Sequence, residues 1–146
     1  KTENKGYYFD FVALEGKAVK SQTPATPALS IINALNVQMD RILEEGVENR
    51  FARHAEMAKY VQDWAEEYFE LYVEDEKYLS PTITNIRNTR GISVADLNKE
   101  LAKRGAMLSN GYGNLKEKAF RIAHMGDLQM EDLKWLTGQI EDILGL

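Results

Sequence analysis

Arg121 is the residue of this chain whose surroundings ask most plainly for chemistry. It stands in the segment Phe120-Arg121-Ile122-Ala123, between apolar neighbours, and an arginine turned towards a protected side needs an anionic partner. Alternation along a half-buried strand would instead pack Phe120 and Ile122 inside and turn Arg121 outward to solvent. The competing reading is a guanidinium fork for an organic carboxylate, which the planar, paired donors of arginine suit. Periodicity leaves both readings standing.

The remaining candidates have structural explanations close at hand. His54 follows Arg53 on a helical stretch with no second ligand four residues on, so a surface or boundary position is expected and not a metal site. His124 ends a strand, where a hydrogen-bonded structural histidine is expected. The turn Gly111-Tyr112-Gly113 invites a phosphate-cradle reading, but it leads into a strand and not to a helix N-terminus. Thr26 directly precedes Pro27, which predicts a hydroxyl N-cap followed by proline at the first helical position.

Composition narrows the chemistry further. With 146 residues the chain should form one core, and 44% apolar against 28% charged residues, with 3 prolines and 10 glycines, describes a soluble globular domain. A formal net charge of -5 opposes phosphate backbones and anionic membranes, so neither nucleic acid nor a membrane is an expected partner. No apolar run approaches the roughly 20 residues of a membrane span, and no secretory pattern opens the chain, so a cytoplasmic setting is expected. There is no cysteine, which excludes disulfides, thiolate metal sites, iron–sulfur clusters and a cysteine nucleophile together. His54 and His124 are the only imidazoles, so a histidine-rich metal centre is not expected. Any reactive group is expected to come from outside the chain. The sequence opens on Lys1 rather than methionine, which suits a processed or excised piece of a longer protein.

The elements that must position these residues follow from period and punctuation. Residues 7–14 are aromatic and β-branched but too short to assign, and Glu15 to Pro27 reads as a linker. Ile31, Ala34, Leu35, Gln38 and Ile42 predict a helix from Pro27 to Glu45, ended by Gly46. Asn49 is the expected cap of a longer helix with an inner stripe of Phe51, Ala55, Ala58, Val61, Ala65, Tyr68 and Tyr72, widened by Trp64 and Phe69. Its polar face, Arg50 and Arg53 included, reads as a solvated surface. A strand is predicted over Thr82–Ile86. Ser93 with Asp96 resembles a capping box for a third helix carrying Val94, Leu97 and Leu101. Two strands, Ala106–Ser109 and Ala119–His124, flank the glycine-rich turn, and a last helix opens at Asp127 or Gln129. The order implies an α+β fold: two N-terminal helices, then a small, mainly antiparallel sheet covered by helices.

Three segments carry a family resemblance. Gln22-Thr23-Pro24-Ala25-Thr26-Pro27-Ala28, the run from Ile42-Leu43-Glu44-Glu45-Gly46 to Arg53-His54, and Phe120-Arg121-Ile122-Ala123-His124-Met125-Gly126 stand in the order seen in the class V aminotransferases, which the chain resembles from about Tyr7 to Leu144. The resemblance implies the C-terminal small domain of a fold type I enzyme dependent on pyridoxal 5'-phosphate, near the alanine–glyoxylate, serine–glyoxylate and serine–pyruvate aminotransferases. It implies residues 1–26 as the end of the large domain and an interdomain linker, and residues 27–146 as the small domain. It also implies a homodimer acting on a small amino acid and a 2-oxo acid such as glyoxylate or pyruvate. Arg121 then matches the arginine that pairs with the substrate α-carboxylate, and Thr26 the threonine that helps hold the cofactor phosphate of the neighbouring subunit. The family's cofactor-linking lysine would precede Lys1, and Lys1, Lys5, Lys17 and Lys20 lack its context, so the isolated chain is expected to be inactive. Ala123 stands where glycine is usual, and Thr23 where some members place a tyrosine. The alternatives are a lyase-type or sulfur-transferring member, the latter disfavoured by the missing cysteine, and a non-enzymatic interaction or regulatory domain. The aromatic run Tyr7 to Phe11 is expected to face the missing large domain.

Overall fold

The structure is a computed structural model that describes residues 6–146; Lys1 and Lys5 lie outside the described residues. The chain divides into two compact units, with the division between Glu44 and Glu45. Among the described residues no helix is long and apolar enough to cross a membrane.

The first unit holds two helices. The unassigned aromatic run ends in a helix, α1 (Phe11–Ala18), whose start is set by the Asp10 carboxylate accepting from the backbone N–H of Val12 and Ala13. The expected linker therefore begins only after Ala18. The second helix, α2 (Leu29–Glu45), starts two residues later than Pro27. The Thr26 cap is not made: the first turn closes through backbone bonds from Leu29 N–H to the Pro27 carbonyl and from Ile32 N–H to the Ala28 carbonyl. No residue of α1 or α2 is buried, and Tyr7, Phe9, Phe11, Ile31 and Leu35 are exposed. Spacing foretells an amphipathic helix but does not say what covers its apolar stripe.

The second unit holds the core. Gly46 takes a left-handed φ of 85°, breaks the helix and begins α3 (Val47–Tyr68). The predicted Asn49 cap is absent because its side-chain amide donates backwards to the Glu45 carbonyl, bridging the break. The inner stripe of α3 is Met57, Ala58, Val61, Trp64 and Ala65, whereas Phe51 and Ala55 at its N-terminal end are exposed. Two-residue β1 (Glu70–Leu71) follows, and then β2 (Ile83–Arg87), α4 (Val94–Lys103), β3 (Ser109–Asn110), β4 (Ala119–Ala123) and α5 (Met130–Leu144). The four strands form one antiparallel sheet in the order β1-β2-β4-β3, which is the α+β class expected. Ser93 does accept from Asp96 N–H at 3.1 Å, but Asp96 turns its carboxylate to Lys99, so only half of the capping box forms.

Register decides which side chains enter the core. Opposite residues of an antiparallel pair share a face. The pairs Thr84 with Ile122 and Ile86 with Phe120 point inward, while Asn85 with Arg121 and Ile83 with Ala123 point outward. Phe120 and Ile122 join Met57, Val61, Leu97, Leu101, Leu133 and Ile140 in one apolar cluster contributed by α3, α4, α5 and the sheet. Phe69 meets Phe120 edge-on at 5.2 Å between ring centres.

His124 is fully buried at the end of β4. Its Nδ1 faces the Pro81 carbonyl at 3.2 Å, which can only accept, so Nδ1 carries the proton and the bare Nε2 accepts from the Thr84 hydroxyl at 2.9 Å. Burial pushes its pKa below the usual 6.5, partly opposed by the Pro81 bond. At the C-terminal end of α2, Glu45 bonds to Arg53 through two carboxylate contacts of 2.7 and 3.1 Å and to Arg50 at 2.7 Å. These arginines, led by Arg53, hold its carboxyl down at about 2. They also donate to the Gly126 carbonyl at 3.0 Å each, and so pin the turn that follows β4. The expected solvated face is here a brace.

Two outcomes follow for folding. A neutral, buried histidine binds fewer protons folded than unfolded, so its contribution is complete above pH 6.5 and is lost as pH falls below that value. The urea midpoint should fall over that window, and the His124 ring should titrate below 6.5 by NMR; a ring titrating at or above 6.5 would contradict the burial argument. At Gly111 an added Cβ would lie 2.1 Å from the Leu115 carbonyl oxygen and 2.5 Å from its carbon. Gly111→Ala should destabilise the chain by roughly 1–3 kcal/mol, the range for forced overpacking, measured by urea unfolding.

Candidate substrate-carboxylate site

Arg121 projects from β4 on the outward face of the sheet, opposite Asn85 of β2 and Ser109 of β3. Strand alternation therefore holds, yet the side chain does not run free into solvent. Its Nε is buried and has no hydrogen-bond partner. Its Nη2 donates to the Asn110 carbonyl at 3.3 Å, and the guanidinium carbon lies 4.5 Å from the centre of the Tyr112 ring. None of the ion pairs among the described residues gives Arg121 a carboxylate. Arg87, outward on β2, makes the contrast: its Nε is also buried without a hydrogen bond, but Glu70 stands 3.5 Å from it and Glu74 3.7 Å from Nη2. Among the described residues Arg87 has a counter-charge and Arg121 has none.

The turn between β3 and β4 builds the surroundings of Arg121. Asn110 Oδ1 accepts from the backbone N–H of Gly111 at 2.8 Å and of Glu117 at 2.9 Å, while its amide donates to Glu117 Oε1 at 2.5 Å. Glu117 sits at a φ of 63°, a left-handed conformation that a glutamate rarely adopts. Its second carboxylate oxygen accepts from Val94 N–H at the start of α4, and its carbonyl accepts from the Asn88 amide. Four hydrogen bonds to one residue offset the strain. Gly111 closes on the Ala119 carbonyl, and the following Tyr112 is carried out beside Arg121. Turn residues were legible here from the sequence, but Tyr112, Asn110 and Glu117 were not singled out as neighbours of Arg121. The available signal was a tyrosine between two glycines, nine residues before a strand arginine.

A cavity of about 310 Å³ opens beside the same strands, lined by Met107, Ser109, Arg121, Leu128, Trp135 and Leu136 among others. It lies at the edge of β3 and is mainly apolar; Arg121 is its cation, and Asp132, whose carboxylate accepts from the Gln129 N–H at 2.8 Å, also lines it. Thr26 stands in the connection between α1 and α2, exposed, with no hydrogen bond to its hydroxyl among the described residues. Thr23 instead donates to the Ala25 carbonyl at 2.6 Å. Thr26 and Arg121 belong to different compact units. His54 is a boundary residue, its Nε2 3.4 Å from the Gly126 carbonyl. The Gly111–Gly113 turn runs through a single 3-10 turn, Gly113–Leu115, into β4, so it provides no helix N-terminus for a phosphate.

No family model matches the chain. Among curated proteins it is 37% identical over 130 residues to an uncharacterised aminotransferase of Methanocaldococcus jannaschii, covering 86% of this chain and 34% of that protein. It is 30% identical over 123 residues to the L-aspartate–glyoxylate aminotransferase of Paracoccus denitrificans, covering 83% of this chain and 31% of that one. Among solved structures, the phosphoserine aminotransferase of Cytophaga hutchinsonii superposes with a TM-score of 0.83 at 26% identity, over 94% of this chain and 38% of the other. The chain thus spans about a third of the length of the relatives it matches. With the fold, the sheet and the sequence agreeing over most of its length, the chain belongs to the class V aminotransferase family of fold type I.

Proposed function

We propose that this chain is the C-terminal part of a pyridoxal 5'-phosphate-dependent aminotransferase, and that it supplies the clamp for the α-carboxylate of both substrates. The observation that carries the reading is Arg121: a cation on the open face of a sheet, with a buried donor that nothing among the described residues satisfies. An unpaired buried donor costs free energy until a ligand meets it, and a carboxylate is the group whose geometry a guanidinium fits. The position is the one that the Phe120–Gly126 segment matches in the family.

The cofactor, when bound, supplies the electron sink that lets the amino group move between carbon skeletons. The residues of this chain have two parts in that chemistry. Arg121 binds the carboxylate and so fixes which bond at the α-carbon faces the reacting ring, a positioning effect that can lower a barrier by several kcal/mol. Its charge serves the amino acid and the oxo acid alike, because both carry the same carboxylate. Thr26 offers an unengaged hydroxyl, which fits a hydrogen bond to the cofactor phosphate of a neighbouring subunit in a homodimer. Residues 1–26 close the large domain and its linker, and 27–146 form the small domain, with the exposed Tyr7–Phe11 run set against the large domain. The amino donor is a small amino acid and the acceptor a 2-oxo acid such as glyoxylate, which one relative carries in its name, or pyruvate. The setting is cytoplasmic.

The full-length protein tests this. Arg121→Lys exchanges a planar fork for a single ammonium and should weaken binding of both amino acid and oxo acid by roughly 1.5–3 kcal/mol, the range for hydrogen bonds to charged groups. Single-turnover titration of the bound cofactor's absorbance reads both affinities, and unchanged affinity for both would end the carboxylate assignment. Thr26→Ala should leave those affinities near the parent's but hasten loss of cofactor on dialysis; retention equal to the parent's would remove Thr26 from the phosphate site.

A further inference from the structure

The same turn that frames Arg121 constrains it twice. The Tyr112 ring, its centre 4.5 Å from the guanidinium carbon, holds the group by the attraction of a cation to the ring face. The Asn110 carbonyl, bonded to Nη2 at 3.3 Å, limits its rotation. Tyr112 is otherwise free of the core, with 77% of its surface exposed, so burial does not explain where its ring stands. What sets it is the backbone of the turn. Asn110 locks that backbone by two hydrogen bonds with Glu117 and one from the Gly111 N–H, and Glu117 takes a strained left-handed conformation.

We propose that Tyr112 is a positioning residue for substrate binding: its ring, held by the Asn110–Glu117 brace, orients the Arg121 guanidinium so that the donors not engaged by the Asn110 carbonyl meet the incoming carboxylate. The proposal rests on the carboxylate reading of Arg121 and adds a residue that acts through it. An arginine without that platform would spread over several rotamers, and each binding event would have to order it again.

The test is a double-mutant cycle in the full-length protein loaded with pyridoxal 5'-phosphate, reading apparent Kd for amino acid and oxo acid by single-turnover titration, with kcat at saturation. Tyr112→Ala should raise both Kd values about two- to fivefold, the effect of an exposed cation–ring contact, while kcat at saturating substrate and the melting temperature stay near the parent's. Tyr112→Phe keeps the ring and should restore parent affinity. In the Arg121→Lys background, Tyr112→Ala should change nothing further, since the group it orients is gone. Parent-like affinity in Tyr112→Ala, equal losses in the Ala and Phe variants, or losses that add to those of Arg121→Lys would each overturn the proposal. Failure of the underlying reading looks different: Arg121→Lys alone would then leave both affinities unchanged, whereas failure of the positioning role alone leaves Arg121→Lys impaired and Tyr112→Ala normal.

Discussion

The pairing of β2 with β4, five residues on five in a single antiparallel register, is the constraint on which the rest of the second unit depends. A shift of one residue would exchange the two faces of β4, burying an arginine without a counter-charge and exposing Phe120 and Ile122. The register is held at both ends by bonds outside the strand ladder. At one end His124 links β4 to Thr84 and Pro81, and at the other Asn88 N–H donates to the Lys118 carbonyl. The central pairs bury Ile86 against Phe120, so the hydrophobic and hydrogen-bonding preferences agree.

That register turns Arg121 into a binding group. The helices occupy the inward face, and the outward face keeps Asn85, Ser109 and Arg121 available beside an open cavity. Where a second arginine occurs on that face, glutamates accompany it. On that face Arg121 has its charge answered by a ring and a carbonyl, both of which orient a guanidinium without neutralising it. The arrangement leaves an electrostatic demand that an organic anion can meet.

A second brace works on the other side of β4. Glu45, Arg50 and Arg53 gather on the Gly126 carbonyl and fix the path of the chain into α5. Part-buried and bidentate, this cluster has the geometry in which ion pairs contribute, unlike the exposed pairs Lys59 with Asp63 or Lys103 with Glu100. Strand β4 is thus held from three directions: by β2 laterally, by the Asn110–Glu117 turn before it and by the arginine brace after it.

Much of this was present in the one-dimensional pattern. Helical period and glycine punctuation marked α2, α3, α4 and α5 and the strands β2 and β4 to within a few residues, because those signals arise from neighbours along the chain. The family segments pointed to Arg121 by position. The sequence could not say that Asn49 would bond backwards across Gly46, that Phe51 would stay exposed while Met57 was buried, or that Thr26 would leave its helix uncapped. Each depends on which partner a side chain meets after folding. Arg50 and Arg53 read as a solvated face because their charges suit water; only the approach of the Gly126 turn, more than seventy residues away, makes them a brace. The site divides in the same way. Residue type made Arg121 a cation, and alternation allowed it an outward direction that the register with β2 decided. Its lack of a carboxylate among the described residues, and its orientation by Tyr112 and Asn110, were decided by tertiary structure, because the closure of one strained turn at Glu117 brings those groups to it and no local period encodes that closure.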